Sequence, residues 1–353
     1  MEVSDAVDNR LHNLERKLLD TFQHGVPIVA RPFAAMAERV GSSESAVITA
    51  LQRLKGAGII SRVGPVFRPH RVGCSTLAAM AVPETLLEEV AALVSAYPEV
   101  NHNYEREHRF NLWFVVTAAD DVHLAAVLED IEARSGLTVI SLPMLEAYHI
   151  DLGFPLRQGS HSATLAGMPR ATTSERVRCP TSIRGPVDQH LVAAIQDGLP
   201  LVPRPYAAVG YAANMTEWQV CERIGEWLND GTIGRFGIVV RHRELGYRAN
   251  GMVVWDVPDA EVSALGARLS GYDFVTLCYR RRRSPPEWNF NLFCMIHGRN
   301  RPEVEARVQT LVSDAGLHTM PRALLFSTRR FKQRGAHYVS STAMLPKVMV
   351  KHG

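Results

Sequence analysis

Between Asn101 and Arg109 stand two histidines (His102 and His108), Tyr104 and two arginines (Arg106 and Arg109); Asn111 follows, and then the apolar run Leu112 to Val116. Histidine and tyrosine move protons near neutral pH. The planar arginine fork holds carboxylates through paired charge-assisted hydrogen bonds. Together they suit acid–base chemistry on a substrate with several carboxylates. A related segment lies further on: Tyr279, then Arg280, Arg281, Arg282 and Arg283, a short Pro-containing stretch with Trp288, and Asn291 leading into a second apolar run. A run of arginines is as a rule a solvated turn. Its match to the place of the first site reads instead as carboxylate binding by Tyr279, Arg280 to Arg283 and Trp288. His102, Tyr104 and His108 are the candidate acid–base groups, with Arg106, Arg109 and Asn111 as substrate-binding candidates.

Strand alternation sharpens the first segment. On a β-strand, successive side chains face opposite ways. His102, Tyr104, Arg106 and, if the strand persists, His108 would share one face, and Asn101, Asn103 and Glu105 the other.

The two segments belong to an internal repeat. Gly25-Val-Pro-Ile-Val-Ala-Arg-Pro-Phe33 matches Gly198-Leu-Pro-Leu-Val-Pro-Arg-Pro-Tyr206. The same offset pairs Leu51 with Ile224, Gly58 with Gly231, Arg62 with Arg235, Gly64 with Gly237 and Arg68 with Arg241. After a short shift Tyr104 aligns with Tyr279. The period is far too long for a solenoid unit, so each copy is a multi-domain protomer.

Copy one opens with a helical stripe over Asp8–Phe22. A second helix enters after Pro32 and closes at Gly41, and a third is capped by Ser42 or Ser43. A two-stranded wing begins at Ile59. This is a winged helix-turn-helix. Next come a strand (Thr76–Val82), a helix (Leu86–Val94), strands over Val100–Arg106 and Leu112–Thr117, a helix (Val122–Ile131) and a strand over Thr138–Leu142. That βαββαβ order is the ferredoxin-like unit. Copy two repeats it and ends on a short strand, Ala323–Phe326. The fold class is therefore α+β, in two tandem copies. The expected bounds are 1–73 and 187–246 for the winged domains, 74–156 and 247–340 for the ferredoxin-like domains, 157–186 for a Ser/Thr/Gly/Pro-rich linker, and 341–353 for a tail.

The winged helix-turn-helix followed by βαββαβ resembles the Lrp/AsnC family of transcription regulators, which implies a DNA-binding, amino-acid-sensing protein. Three segments resemble a different branch of that fold, the siroheme decarboxylases of the heme d1 and alternative heme pathways. They are Gly58–Phe67 (GIISRVGPVF), Asn101–Phe114 (NHNYEREHRFNLWF) and Leu325–Gly335 (LFSTRRFKQRG). Those enzymes are usually built from two related subunits. Here both lie on one chain, as in fused versions of the heme d1 pathway enzyme, and the resemblance covers nearly everything except the termini and the linker. It implies removal of two acetate carboxyl groups (C12 and C18) from siroheme to give 12,18-didecarboxysiroheme. It also implies siroheme and its product as ligands, no added cofactor (iron enters with the substrate), and an internal pseudo-dimer with room to dimerise again. A non-catalytic tetrapyrrole-binding protein is a third reading.

Charge weighs against the DNA-binding reading. The second recognition helix, Thr216 to Asp230, carries Glu217, Glu222, Glu226 and Asp230 against Arg223, which repels a phosphate backbone. The net charge of the 353-residue chain is only +3, without the basic footprint of a nucleic-acid binder. No apolar run is long enough to span a membrane. The five cysteines are dispersed, without a CxxC pair, which suits reduced thiols in a cytoplasm. Weaker candidates are Arg68, His70 and Arg241–Arg243 after the wings, His149, His297, and the basic run Arg329, Arg330, Lys332 and Arg334, read as a solvated tail.

Overall fold

The computed structural model describes residues 11–68, 71–150, 183, 185–241 and 249–338. The tail 341–353, His70, His242, Arg243 and nearly all of the linker 157–186 lie outside the described residues. In copy one, α1 (Asn13–Phe22), α2 (Pro32–Val40) and α3 (Glu44–Gly56) lead into β1 (Ile60–Phe67). Pro32 opens α2, where its missing N–H costs nothing, and Gly41 closes it at φ 69°. Ser43 Oγ caps α3 by accepting from the Ala46 N–H. Copy two repeats the pattern with α6 (Gly185–Ile195), α7 (Pro205–Ala213), α8 (Glu217–Asn229) and β6 (Ile233–Val240). Its α8 begins with the capping box of Thr216 and Gln219.

The wings differ from expectation. Among the described residues each copy contributes one wing strand, and β1 pairs antiparallel with β6, with Gly64 opposite Gly237. The backbones crowd here: a Cβ on Gly237 would lie 1.9 Å from the Gln23 carbonyl oxygen, and one on Gly64 would lie 2.9 Å from Gly198 Cα. Both winged domains therefore share one apolar core, with Phe22, Phe33, Leu51, Tyr206, Trp227 and Phe236 among its members.

The ferredoxin-like units are β2 (Cys74–Met80), α4 (Leu87–Ala96), β3 (Val100–Arg106), β4 (Leu112–Ala118), α5 (Asp121–Ser135) and β5 (Val139–Ile150), then β7 (Ala249–Trp255), α9 (Val262–Leu269), β8 (Val275–Arg281), β9 (Leu292–Gly298), α10 (Arg301–Ala315) and β10 (Arg322–Gln333). The strands close into one barrel of order β10-β3-β4-β2-β5-β8-β9-β7. The closure is reciprocal. The far half of β5 crosses to pair with β8 of copy two, and the far half of β10 crosses to pair with β3 of copy one. Both last strands therefore run well past the short strands expected. Apolar residues of both copies, including Trp113, Trp288, Phe293 and Leu325, fill the space between the sheets. Helices α4 and α5 cover one outer face, and α9 and α10 the other.

Candidate functional site

β3 sorts its side chains as its alternation requires. Asn103 points to α4, donating to the Ala91 carbonyl and to Ser95 Oγ, each at 3.1 Å. Glu105, on the same outer side, pairs with Arg329. His102, Tyr104 and Arg106 therefore face the other way. Their neighbours come from β10: Gln333 lies opposite His102 and Arg330 opposite Tyr104. Arg330 Nη1 donates to Gln333 Oε1 at 2.9 Å, and the rings of His102 and Tyr104 are 6.2 Å apart.

The first wing covers this cluster. Arg62 of β1 donates from Nη2 to the Pro65 carbonyl at 3.0 Å, and its charge reaches His102. The chain after β10 runs across to the winged domain. On the way Arg334 N–H donates to the Asn101 carbonyl of β3 at 2.9 Å; at the winged domain Tyr338 N–H donates to Gln196 Oε1 at 3.0 Å, and the Tyr338 ring meets Phe67 edge-on at 5.6 Å. Arg62, His102, Tyr104, Arg330, Gln333 and Tyr338 thus come from three parts of the chain. The first five fall within the three segments that carry the resemblance.

Burial sets the electrostatics. It pushes His102 down to about 4, helped by the charge of Arg62, because a cation in a dry site lacks solvation. Burial also lowers Arg62 and pushes Tyr338 up to about 12. His102 Nδ1 and Arg62 Nε are both sealed from solvent without a hydrogen-bond partner.

The matching place in the other half is chemically different. There Leu277 lies opposite Ile150 and Tyr279 opposite Ala147, with the same bulges in the pairing. Leu277, Ala147 and Ile150 thus stand where the first site has His102, Arg330 and Gln333. Tyr279 is buried and stacked on Phe293 at 5.9 Å. Arg235, the match of Arg62, donates to the Gln23 carbonyl at 3.0 Å. The barrel thus sets a junction lined by His102, Arg330 and Gln333 against an apolar counterpart.

Several expected site residues do other work. The strand does not persist to His108, which sits in the hairpin beyond Arg106. Its Nδ1 accepts from the Phe110 N–H at 3.0 Å, its ring packs on Trp288 at 5.4 Å, and burial and then Arg109 lower its pKa. Arg109 is exposed and pairs with Glu287. Trp288 is a core residue, 1% exposed and 5.0 Å from Trp113. Asn111 is occupied with Val82, accepting from its N–H and donating to its carbonyl, both at 2.9 Å. Asn291 clamps Val257 in the same way.

The arginines of both segments are largely committed. Arg106 crosses the seam to donate to the Leu325 carbonyl at 3.1 Å. Arg281 reciprocates, donating to the Leu142 carbonyl at 2.7 Å with its guanidinium 4.5 Å over the Tyr279 ring. Arg280 and Arg283 pair with Asp259, and Arg283 also with Asp256. Arg282 alone of the four is exposed.

Among the weaker candidates, Lys332 caps the end of α4, with Nζ donating to the Ser95 and Tyr97 carbonyls at 2.7 Å. Arg68 lies beside Gly231 and Gly234, and Arg241 beside Gly58, each on the opposite copy's wing turn. His149 lies opposite Cys278 in the β5–β8 pairing. His297 is held between Asn250 (3.1 Å) and Thr276 (2.9 Å). Sequence reasoning missed Arg62, Gln333 and Tyr338 as site residues and set Arg330 aside as solvated. The first two and Arg330 sat in segments already singled out, whereas Tyr338 carried no signal.

Comparison with known proteins matches both halves. The AsnC-like ligand binding domain matches residues 71–149 and 244–332. The siroheme decarboxylase NirDL-like HTH domain matches residues 15–60 and 188–233. The siroheme decarboxylase NirDL subunit of Paracoccus denitrificans is 46% identical over 326 residues, covering 92% of this chain and 97% of its own. The crystal structure of the siroheme decarboxylase NirDL superposes with a TM-score of 0.67 at 28% identity, covering 93% of this chain and 95% of its own. The same enzyme in co-complex with an iron-uroporphyrin III analogue superposes at 0.65 with 27% identity, covering 92% and 94%.

Proposed function

This chain belongs to the siroheme decarboxylase NirDL family, and from that premise and the asymmetry of its barrel we infer that it decarboxylates siroheme at one site built by both copies. It is a carboxy-lyase of heme d1 synthesis, taking siroheme to 12,18-didecarboxysiroheme. The observation that supports a single site is the contrast between His102, Arg330 and Gln333 on one side of the barrel and Leu277, Ala147 and Ile150 on the other.

Each turnover converts a ring–CH2–COO⁻ group and one proton into ring–CH3 and CO2. The carbon–carbon bond breaks, and its electron pair stays with the methylene carbon, which ends bonded to the added proton. His102 supplies that proton, drawn from solvent, with Tyr104 beside it. Arg330 holds a neighbouring carboxylate, and its hydrogen bond to Gln333 fixes the guanidinium. A carboxylate facing the dry side of the site is poorly solvated, which favours its loss as neutral CO2. The iron belongs to the substrate, and the reading requires no added cofactor.

The same reading gives DNA no role: α8 presents Glu217, Glu222 and Glu226, and both wing strands are used in pairing with each other. It places the enzyme in the cytoplasm, with siroheme and product as ligands, and leaves the pseudo-dimer able to self-associate.

The test is anaerobic incubation with siroheme, with mass spectrometry of the tetrapyrrole. A product short of two carbon dioxide units supports the enzyme, and His102→Ala should abolish it while siroheme still binds. A spectral shift without product indicates a carrier instead. Full turnover by His102→Ala would overturn the assignment of the proton donor.

A further inference from the structure

The fold makes room for Arg62 on two sides. A Cβ on Gly198, at φ +95°, would lie 2.7 Å from Arg62 Cβ, and a Cβ on Gly335 would lie 2.6 Å from Arg62 Nη1. The loop between α6 and α7 thus passes against the base of the Arg62 side chain and the chain after β10 against its guanidinium, each with a glycine at the point of contact. Its Nη2 donates to a neutral carbonyl, that of Pro65, while its Nε is sealed and unpartnered. A buried cation with so little compensation is costly unless an anion joins it. Asp197 is the acid whose charge reaches Arg62. It is exposed and bonded to His337 at 2.7 Å.

His102 has the complementary defect, a sealed and unpartnered Nδ1. The groups around it are Tyr104 on its own strand, Gln333 and Arg330 on β10, Arg62 on the wing, and Tyr338 on the chain after β10. Arg62 is positive, and its charge opposes a proton on His102.

We propose that Arg62 takes a carboxylate of the substrate and that this pairing switches His102 from neutral to protonated. Before binding, burial and the cation of Arg62 together keep a second positive charge off His102. The incoming carboxylate compensates Arg62, and the remaining carboxylates of the substrate add further negative potential. His102 then accepts a proton from solvent, passes it to the substrate carbon as CO2 leaves, and returns to neutral. Arg62 keeps its carboxylate throughout. The proton donor is therefore armed by the substrate and stays disarmed in the free enzyme. This inference rests on His102 being the proton donor.

The test is NMR titration of the protein carrying ¹³C-labelled histidine, free and saturated with metal-free uroporphyrin, a diamagnetic polycarboxylate probe. In the free protein His102 should stay neutral down to about pH 4. With the probe bound its midpoint should move up by two pH units or so, the size of shift that a nearby opposite charge produces. In Arg62→Met the free-state midpoint should rise, because one opposing charge is gone, and the probe-induced shift should shrink. Arg62→Lys keeps a cation and should retain most of it. In steady state, Arg62→Met should lower kcat at neutral pH by roughly tenfold to a hundredfold and move the pH profile, with Arg62→Lys between it and the wild type. No shift on probe binding, or the same shift in Arg62→Met as in the wild type, overturns the proposal. These outcomes are separable from failure of the underlying reading. Full turnover in His102→Ala removes the donor itself, whereas an inactive His102→Ala with an Arg62→Met pH profile identical to wild type removes only the switch.

Discussion

Replacing His102 by leucine should yield a protein that is inactive and more stable. The substitution copies the counterpart site, where Leu277 already sits opposite Ile150 in an equivalent register, so a leucine fits this backbone. The Nδ1 of His102 is sealed and unpartnered, and such an atom costs about 1–3 kcal/mol. Leucine removes that cost and adds apolar burial. The gain should depend on pH. Burial and Arg62 hold His102 at about 4, against the ordinary histidine value of 6.5. Between those values the unfolded chain carries a proton on this residue and the folded chain does not. Wild-type stability therefore rises with pH across the window and is lost as pH falls from 6.5 toward 4, by up to about 3 kcal/mol. The leucine variant lacks this slope, so its advantage should be smallest at pH 7 and widest near pH 4. Urea unfolding of both proteins at pH 7, 5.5 and 4.5, beside the decarboxylation assay, measures it. A variant less stable than wild type at pH 7, or an advantage that does not change with pH, would refute the reasoning.

Four further substitutions separate structural from functional side chains. Arg281→Met should lose about 1–3 kcal/mol, because the buried Leu142 carbonyl loses its side-chain donor, while tetrapyrrole titration of the folded protein should be nearly unchanged. Asn111→Ala and Asn291→Ala each remove a two-bond clamp, on Val82 and Val257; each should lower the urea midpoint, with KM for siroheme close to wild type. Gly335→Ala should do the reverse. Its Cβ meets the movable end of Arg62 at 2.6 Å, so unfolding should change little while KM rises several-fold.

The helices and the repeat were legible because their signals are local: apolar spacing, Pro32 and Ser43 at helix starts, and glycines and prolines at matched places. The shared face of His102, Tyr104 and Arg106 followed from strand alternation alone. The crossing halves of β5 and β10 were not legible. Ser327 to Gln333 is polar because it borders the site and the outer helix, and bulges at Ser327/Arg329 and Arg330/Lys332 interrupt the two-residue period. A strand that breaks alternation and carries four cations reads as a solvated tail. The arginine run misled for a related reason. Its partners Asp256 and Asp259 follow β7, more than twenty positions earlier in the chain, and only the β7–β9–β8 arrangement brings them together. The pairing of the two wing strands with each other was likewise invisible, since pairing between distant copies leaves no local mark.

The crossing of the last strands also dictates what each half is worth alone. A homodimer of the first half would offer His102 and Tyr104 twice, each facing Ala147 and Ile150. A homodimer of the second half would offer Arg330 and Gln333 twice, each facing Leu277 and Tyr279. Neither assembly contains a complete cluster, however well it folds. Joining the halves fixes their stoichiometry at one to one and excludes both unproductive pairings. Selection can then maintain one junction for chemistry and leave its twin to drift toward plain hydrophobic packing.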